Sequence, residues 1–287
     1  MTKLYRDFTT TEEIDAEYNV LGNVADPEAI IRGWVRRGEA AVARLDCRLA
    51  VPYGPTLAEH SDIFPAGKGA PLHVFIHGGY WRRFSARDHV FLAPALVEAG
   101  LCPVFVNYEL CPTVSIDEIV RQVRAAIAWA FRHAAEFGAD PGRLTISGHS
   151  AGGHLVAMAL ETDWQGVYGL PADLVKGAVA ISGLYDLGFV PYSYVQPKVQ
   201  ASWDQVRRLS PIHHLPASAP PLLVAVGGDE TDEFRRQSRD FLAAWQGVGL
   251  IGSWLEPPGK HHLTVLEEIE DPASELHRAL VEVARGS

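Results

Sequence analysis

Cysteine is scarce in this chain: Cys47, Cys102 and Cys111 are the only three in 287 residues. An odd number leaves at least one thiol unpaired under any disulfide scheme, and their intervals match no metal-binding spacing. Free, buried thiols in a cytoplasmic protein are the expectation. Positive charge is also in deficit. The 25 Lys and Arg against 35 Asp and Glu give a net charge of −10, which offers no electrostatic footprint for nucleic acid or an anionic membrane. The opening MTKLYRDFTTTEEIDAEYN is polar and acidic and lacks the apolar core of a signal peptide. No apolar run approaches the ~20 residues that a helix needs to cross a bilayer. Internal repeats, low-complexity tracts and long linkers are missing as well. What is present is a chain that is 47% apolar, enough to bury a large core, and it reads as one domain over residues 1–287.

Apolar runs alternate with helical patterns through most of that length. An opening helix is expected from Asp26-Pro27, an N-cap followed by Pro in the first turn, carrying Ile30, Ile31, Trp34, Val35 and Val42. It belongs to a helical extension over about 1–45. Strands are expected at PLHVFIHG (Pro71–Gly78), CPVFVNYEL (Cys102–Leu110), RLTIS (from Arg143), VKGAVAIS (Val175–Ser182), PLLVAVGG (Pro221–Gly228) and IGSWLEP (Ile251–Pro257). Between the second and third lies a long helical pattern in which Ser115 and Glu118 have capping-box spacing and Gly138 stands as a stop. Helices are expected at Ala151–Leu160, at roughly Asp232–Gln246 and after Pro272. Such alternation implies a mostly parallel central sheet covered by helices on both faces, with function in the loops beyond the carboxyl ends of the strands. The stretch 187–215, rich in Pro, Tyr and Trp, breaks the alternation and reads as a small cap-like insertion over part of the site.

One junction carries chemistry. Gly148-His149-Ser150-Ala151-Gly152 is a G-x-S-x-G sequence between a buried strand and a helix. Glycines two before and two after the serine permit a tight turn that lifts the hydroxyl above the sheet, with the following helix pointing amides toward it. Alone, the pattern also fits an ordinary N-cap serine with chance glycines. A nucleophilic serine needs a base, an acid that orients the base, and an oxyanion hole. HGGYW, His77–Trp81, follows an early strand, where a Gly-Gly pair can turn N–H groups toward a developing negative charge, and the amide of Ala151 supplies a second donor. On such a sheet the acid and then the histidine follow the serine in the chain. Among the late strands, PLLVAVGGDE leads into carboxylates, Asp229 and Glu230, and PGKHHLTV then presents His261 and His262. His277 lies in the closing helix and is expected to face solvent.

With HGGYW, GHSAGGHL, SGLYDL (Ser182–Leu187), DETDEFRRQS (Asp229–Ser238) and HHLTVLE together, the sequence resembles the kynurenine formamidase (arylformamidase) family from about Tyr18 to the final helix. That family has the α/β-hydrolase fold and lies near the hormone-sensitive-lipase-like esterases. Those esterases usually carry a third glycine after HGG, whereas Tyr80 followed by Trp81 is more typical of the formamidases. The resemblance implies Ser150 as nucleophile and His262 as base. It puts the acid at Glu230, where most members have Asp, and the oxyanion donors at the amides of Gly79, Tyr80 and Ala151.

The implied reaction is hydrolysis of an N-formyl aryl amide such as N-formylkynurenine, without metal or organic cofactor. The implied partner is a small aromatic formamide or ester, not nucleic acid or membrane, and a homodimer is compatible with this reading. A carboxylesterase of broad acyl preference would use the same residues, and a non-catalytic relative of the fold would usually have lost the serine or the histidine. Tyr80, Trp81, Tyr185, Phe189, Tyr192, Tyr194 and Trp203 are available for an aromatic slot, most of them expected as packing. Arg82 and Arg83 could pair with a substrate carboxylate, but they are expected to be solvated or paired with the protein's own acids.

Overall fold

The computed structural model describes residues 2–286 and is built on one eight-stranded sheet in the order β1-β2-β4-β3-β5-β6-β7-β8. The strands are β1 (Arg48–Pro52), β2 (His60–Ile63), β3 (Ala70–Ile76), β4 (Cys102–Val106), β5 (Ala139–His149), β6 (Gly177–Ile181), β7 (Leu222–Ala225) and β8 (Gly252–Leu255). From β4 to β8 every pairing is parallel, and β1 and β2 add an antiparallel edge beside β4. This is the α/β-hydrolase fold, and its six parallel strands coincide with the six expected runs. The antiparallel edge was not anticipated. Its strands are short and polar, RLAVP and HSDI, and β1 is mostly exposed, so neither presents the apolar run that marks a buried strand.

Helices cover both faces: α1 (Thr11–Tyr18), α2 (Pro27–Arg44), α3 (Ala93–Glu98), α4 (Ile116–His133), α5 (Ala151–Leu160), α6 (Trp164–Tyr168), α7 (Gln196–Val199), α8 (Trp203–Arg208), α9 (Asp232–Gly247), α10 (Thr264–Glu267) and α11 (Glu275–Arg285). Because successive strand residues point to opposite faces, the core divides in two. Val74, Ile76 and Val104 pack with Ile119 and Val123 of α4, Leu155 of α5 and Phe234, Phe241 and Trp245 of α9. Phe75, Phe105, Val179 and Ile181 pack on the other face with Trp34 of α2 and Leu276 and Leu280 of α11. Each large apolar side chain so buried contributes about 1.5–3 kcal/mol. Cys102 and Cys111 are buried, Cys47 is half-buried, and all three are free thiols. Among the described residues no helix is long and apolar enough to cross a membrane.

The helix starts follow the expected chemistry at one end and depart from it at another. Asp26 caps α2, its carboxylate accepting from the Ala29 amide, with Pro27 as the first helical residue. Ser115 occupies the N-cap of α4, but its hydroxyl accepts no capping bond. Glu118, the other half of the expected box, is engaged by Arg121 and Gln122 instead. The ion pair with Arg121 draws the carboxylate along the helix, away from the N-terminus. Gly138 ends the short helical turn after α4 at φ +79°, where a side chain would be strained. His277 does not face solvent. It is buried, and its Nδ1–H donates to the Ile269 carbonyl at 2.7 Å, because α11 turns that face onto the preceding loop.

The first helix is tied to the sheet by a buried tyrosine. The Tyr18 hydroxyl donates to Glu233 (2.8 Å) and accepts from Gln237 (2.8 Å), both on α9. Its ring stacks 3.7 Å from that of Phe189, and its carbonyl accepts from the Tyr80 hydroxyl at 2.6 Å. These contacts bring the segment that follows α1 over the carboxyl end of the sheet.

Candidate active site

Ser150 sits where β5 ends and α5 begins, at φ +58° and ψ −118°. A left-handed φ costs a non-glycine residue of order 1–3 kcal/mol and persists only where the surroundings enforce it. Here the Ser150 amide donates to the Ile181 carbonyl of β6 (2.8 Å), and its own carbonyl accepts from the His154 amide. A Cβ on Gly148 would lie 2.4 Å from the Gly152 carbonyl oxygen, and one on Gly152 would lie 2.0 Å from that of Ile76. Both glycines of the G-x-S-x-G pattern are therefore required by packing. Although Ser150 holds the N-cap position, its hydroxyl makes no capping bond. It lines a cavity of about 320 Å³ instead.

His262 lines the same cavity, on the loop between β8 and α10. Its Nδ1 lies 2.6 Å from Glu230 Oε2, and both side chains are almost wholly buried. With the Nδ1 proton donated to the carboxylate, Nε2 is left as the basic nitrogen. The other oxygen, Oε1, accepts from the Ser182 hydroxyl at 2.5 Å and from the Gly227 amide at 2.8 Å. Three donors thus hold the carboxylate in one orientation. The neighbouring Asp229 is exposed, and its amide donates to the Lys260 carbonyl. The N-cap of α9 is Thr231. His261 is turned to its own loop, where its ring nitrogen accepts from the Leu263 amide.

The loop after β3 forms the facing wall. Gly79, Tyr80 and Trp81 all have positive φ, at +109°, +51° and +56°. A Cβ on Gly79 would fall 2.1 Å from the Arg83 carbonyl oxygen. Among the described residues, the amides of Gly79, Tyr80 and Ala151 have no hydrogen-bond acceptor. His77 has a part in this that the sequence reading did not assign. Its Nδ1–H donates to the Gly78 carbonyl at 2.8 Å, and in a trans peptide that aims the Gly79 N–H the opposite way. Its ring stacks 4.0 Å from Tyr108, and burial pushes its pKa down to about 3, so it is neutral. His149 is neutral for the same reason, burial holding it well below the ordinary value. Its Nε2–H donates to the His262 carbonyl at 2.8 Å, and its ring lies 4.6 Å from that of His262.

Other cavity residues lacked a sequence signal. Asn19, Val20 and Leu21, from the segment after α1, and Trp34 of α2 line it. Of the aromatic residues considered for a slot, Tyr80 and Tyr194 line the cavity. Trp81, Tyr185 and Phe189 are core, and Tyr192 packs against the half-exposed Trp203. Arg83 pairs with Glu28 (2.9 Å), as expected. Arg82 lines the cavity, with no acidic side chain among the described residues within ion-pair distance, and its guanidinium carbon lies 5.0 Å from the Tyr194 ring centroid.

A parallel sheet whose central strand delivers a left-handed serine into a cavity, opposite a carboxylate-bound histidine from later loops, defines a serine hydrolase of the α/β-hydrolase fold. Sequence comparison narrows the class. The BD-FAE family matches residues 63–187. Kynurenine formamidase of Salmo salar is 32% identical over 244 residues, covering 82% of this chain and 81% of the relative. The enzyme of that name from Danio rerio is 32% identical over 229 residues, covering 77% and 76%. Esterase LipQ of Mycobacterium tuberculosis is 29% identical over 236 residues, covering 74% of this chain and 56% of its own length. Among solved structures, a protein of Silicibacter sp. TM1040 superposes with a TM-score of 0.81 at 29% identity, covering 95% of this chain and 99% of the other. The thermostable carboxylesterase EstE1 superposes at 0.69 with 20% identity, covering 91% and 96%, a likeness of fold alone. The chain belongs to the kynurenine formamidase family, related to the Mycobacterium Lip esterases.

Proposed function

We propose that the chain hydrolyses N-formyl aryl amides of the N-formylkynurenine type, with Ser150 as nucleophile, His262 as base and Glu230 as orienting acid. Most of the support comes from one arrangement: an uncapped serine hydroxyl and the imidazole held by Glu230 open into one cavity beneath amides that lack acceptors. In the first half-reaction Ser150 Oγ bonds to the formyl carbon as its proton passes to His262 Nε2. Negative charge collects on the formyl oxygen, within reach of the Gly79, Tyr80 and Ala151 amides. An anilide anion is too basic to leave unaided, so His262 returns the proton to the amide nitrogen as the C–N bond breaks. The free amine departs and Ser150 is left formylated. Water then attacks the formyl carbon, giving a proton to His262. The ester bond breaks, Ser150 regains its proton, and formate leaves.

Acyl size decides between this reading and its competitor. Formanilide should be cleaved with higher kcat/KM than acetanilide, because a formyl-sized pocket rejects the added methyl. One methyl group in a pocket discriminates about 10–200-fold. Equal values for the two amides, with faster turnover of phenyl acetate, would favour the carboxylesterase reading that the similarity to LipQ supports.

Among the described residues no group of three or more His, Cys, Asp or Glu side chains is arranged to hold a metal ion. Activity is accordingly expected to survive dialysis against EDTA unchanged. Loss of turnover restored by added zinc would overturn the serine mechanism.

A further inference from the structure

One wall of the cavity carries a polar atom for which the triad chemistry has no use. His149, the residue before Ser150, is buried, lines the cavity and is kept neutral by that burial. A neutral imidazole has one donor nitrogen and one acceptor nitrogen. The Nε2–H is committed to the His262 carbonyl at 2.8 Å, which makes Nδ1 the acceptor. Among the described residues nothing donates to it. His77 also has a bare ring nitrogen, but that Nε2 is sealed inside the protein. His149 Nδ1 is not sealed, and its residue borders the cavity.

Position ties this nitrogen to the reacting atoms. A Cβ on Gly78 would lie 3.3 Å from His149 Nδ1 and 3.1 Å from Ser150 Cβ, so both border one point beside the nucleophile. The same imidazole packs 4.6 Å from the ring of His262. A leaving nitrogen must sit between Ser150 Oγ and His262 Nε2, and His149 adjoins both residues. An amide nitrogen needs something there that an ester oxygen does not. In the planar amide its lone pair is shared with the carbonyl. Once Ser150 has added, the nitrogen is pyramidal with a single lone pair, which must face the His262 Nε2–H to take its proton. The nitrogen's own N–H then turns away from His262 and, inside the cavity, requires an acceptor. An ester oxygen has no N–H to satisfy and carries a second lone pair.

We propose that His149 Nδ1 accepts a hydrogen bond from the N–H of the scissile amide as its nitrogen becomes pyramidal, a catalytic contact that serves amides and not esters. No proton changes hands at Nδ1: the N–H bond stays intact, and the proton that frees the amine comes from His262. This inference rests on the arylformamidase reading above. Two variants separate the contact from the support that His149 gives to His262. In His149→Gln the amide nitrogen replaces Nε2 and nothing stands at Nδ1. In His149→Asn the amide oxygen replaces Nδ1 and the donor to the His262 carbonyl is lost. His149→Gln should lower kcat/KM for formanilide about 10-fold more than for phenyl formate, the scale of one hydrogen bond. The difference should lie chiefly in kcat, because the contact forms after attack. His149→Asn should slow both substrates alike and so keep the amide-to-ester ratio. His149→Phe, a ring without either nitrogen, should lose the ratio as His149→Gln does, and it stands in if the glutamine variant fails to fold. Equal losses on the two substrates in His149→Gln or His149→Phe would overturn the inference while leaving the formamidase reading intact, as would a ratio lost in His149→Asn. If wild type cleaves phenyl formate but not formanilide, the formamidase reading falls and this contact falls with it.

Discussion

Ser150→Ala is expected to lose roughly 10⁶-fold in kcat, the scale seen when a triad nucleophile is removed, and to fold as well as wild type. The two halves have separate physical grounds. The alcohol is the proposed attacking atom, and the neighbouring Ser147 hydroxyl is committed to His73 at 2.7 Å inside the sheet. Replacing an N-cap serine with alanine ordinarily costs about 1 kcal/mol of stability, but the Ser150 hydroxyl makes no capping bond, so that loss does not apply. Alanine also meets the same left-handed φ without a larger side chain to place. Turnover of formanilide and the calorimetric Tm would be measured on the same preparation. A variant retaining a tenth of wild-type turnover would show that Ser150 is not the nucleophile.

Glu230→Gln should be nearly as damaging, with kcat reduced about 10⁴-fold, the loss known for amide replacement of a triad acid. The carboxylate accepts the Nδ1 proton of His262 on one oxygen and two further donors on the other. A glutamine with its oxygen toward Ser182 and Gly227 presents an NH₂ to Nδ1. The imidazole must then accept at Nδ1 and carry its proton on Nε2, where it cannot act as base toward Ser150. Asp229→Asn is the control. That side chain is exposed, and the contact its residue makes with Lys260 is through the backbone amide, so turnover should change less than twofold, in line with surface substitutions generally worth under about 0.5 kcal/mol. If the asparagine variant is the crippled one and Glu230→Gln is active, the acid assignment is off by one residue.

Glu230 also marks a boundary in what could be read from residues alone. Its place in the chain, after a late apolar strand and before a loop with histidines, is local information. Its second anchor is not. Ser182 lies 48 positions away in the chain, and it meets the carboxylate because β6 and β7 are paired neighbours. The Gly227 amide adds to this through the turn itself. The extra methylene of glutamate relative to aspartate is accommodated by that cradle.

The cavity illustrates the same division. Tyr80 was legible because it follows a glycine pair at a strand end. Asn19, Val20, Leu21 and Trp34 carried no signal, since an aliphatic or aromatic residue near a helix reads as packing. Asn19, Val20 and Leu21 reach the cavity because Tyr18 is buried against α9 and hydrogen-bonded by Tyr80, and Trp34 is held there by stacking on Phe91 and by its Nε1–H donated to Glu267. His277 went the other way: a titratable residue on an amphipathic helix suggested solvent, and the Ile269 carbonyl, exposed by the preceding loop, gave it a buried partner.

By itself, then, the sequence determined what depends on neighbours along the chain. That includes the six parallel strands, from their apolar runs, and the serine turn, from two glycines that leave room for backbone crossing at 2.0–2.4 Å from any added Cβ. It also includes the chain order of serine, carboxylate and histidine. Tertiary structure alone decided the antiparallel edge of β1 and β2, the anchoring of Glu230, the enclosure of the cavity by the segment after α1, and the placement of Arg82 against Tyr194. Each of these depends on which groups from distant segments come within a few ångströms. Hydrogen bonds and ion pairs fall off over that distance, and the spacing of residues in a sequence does not report it.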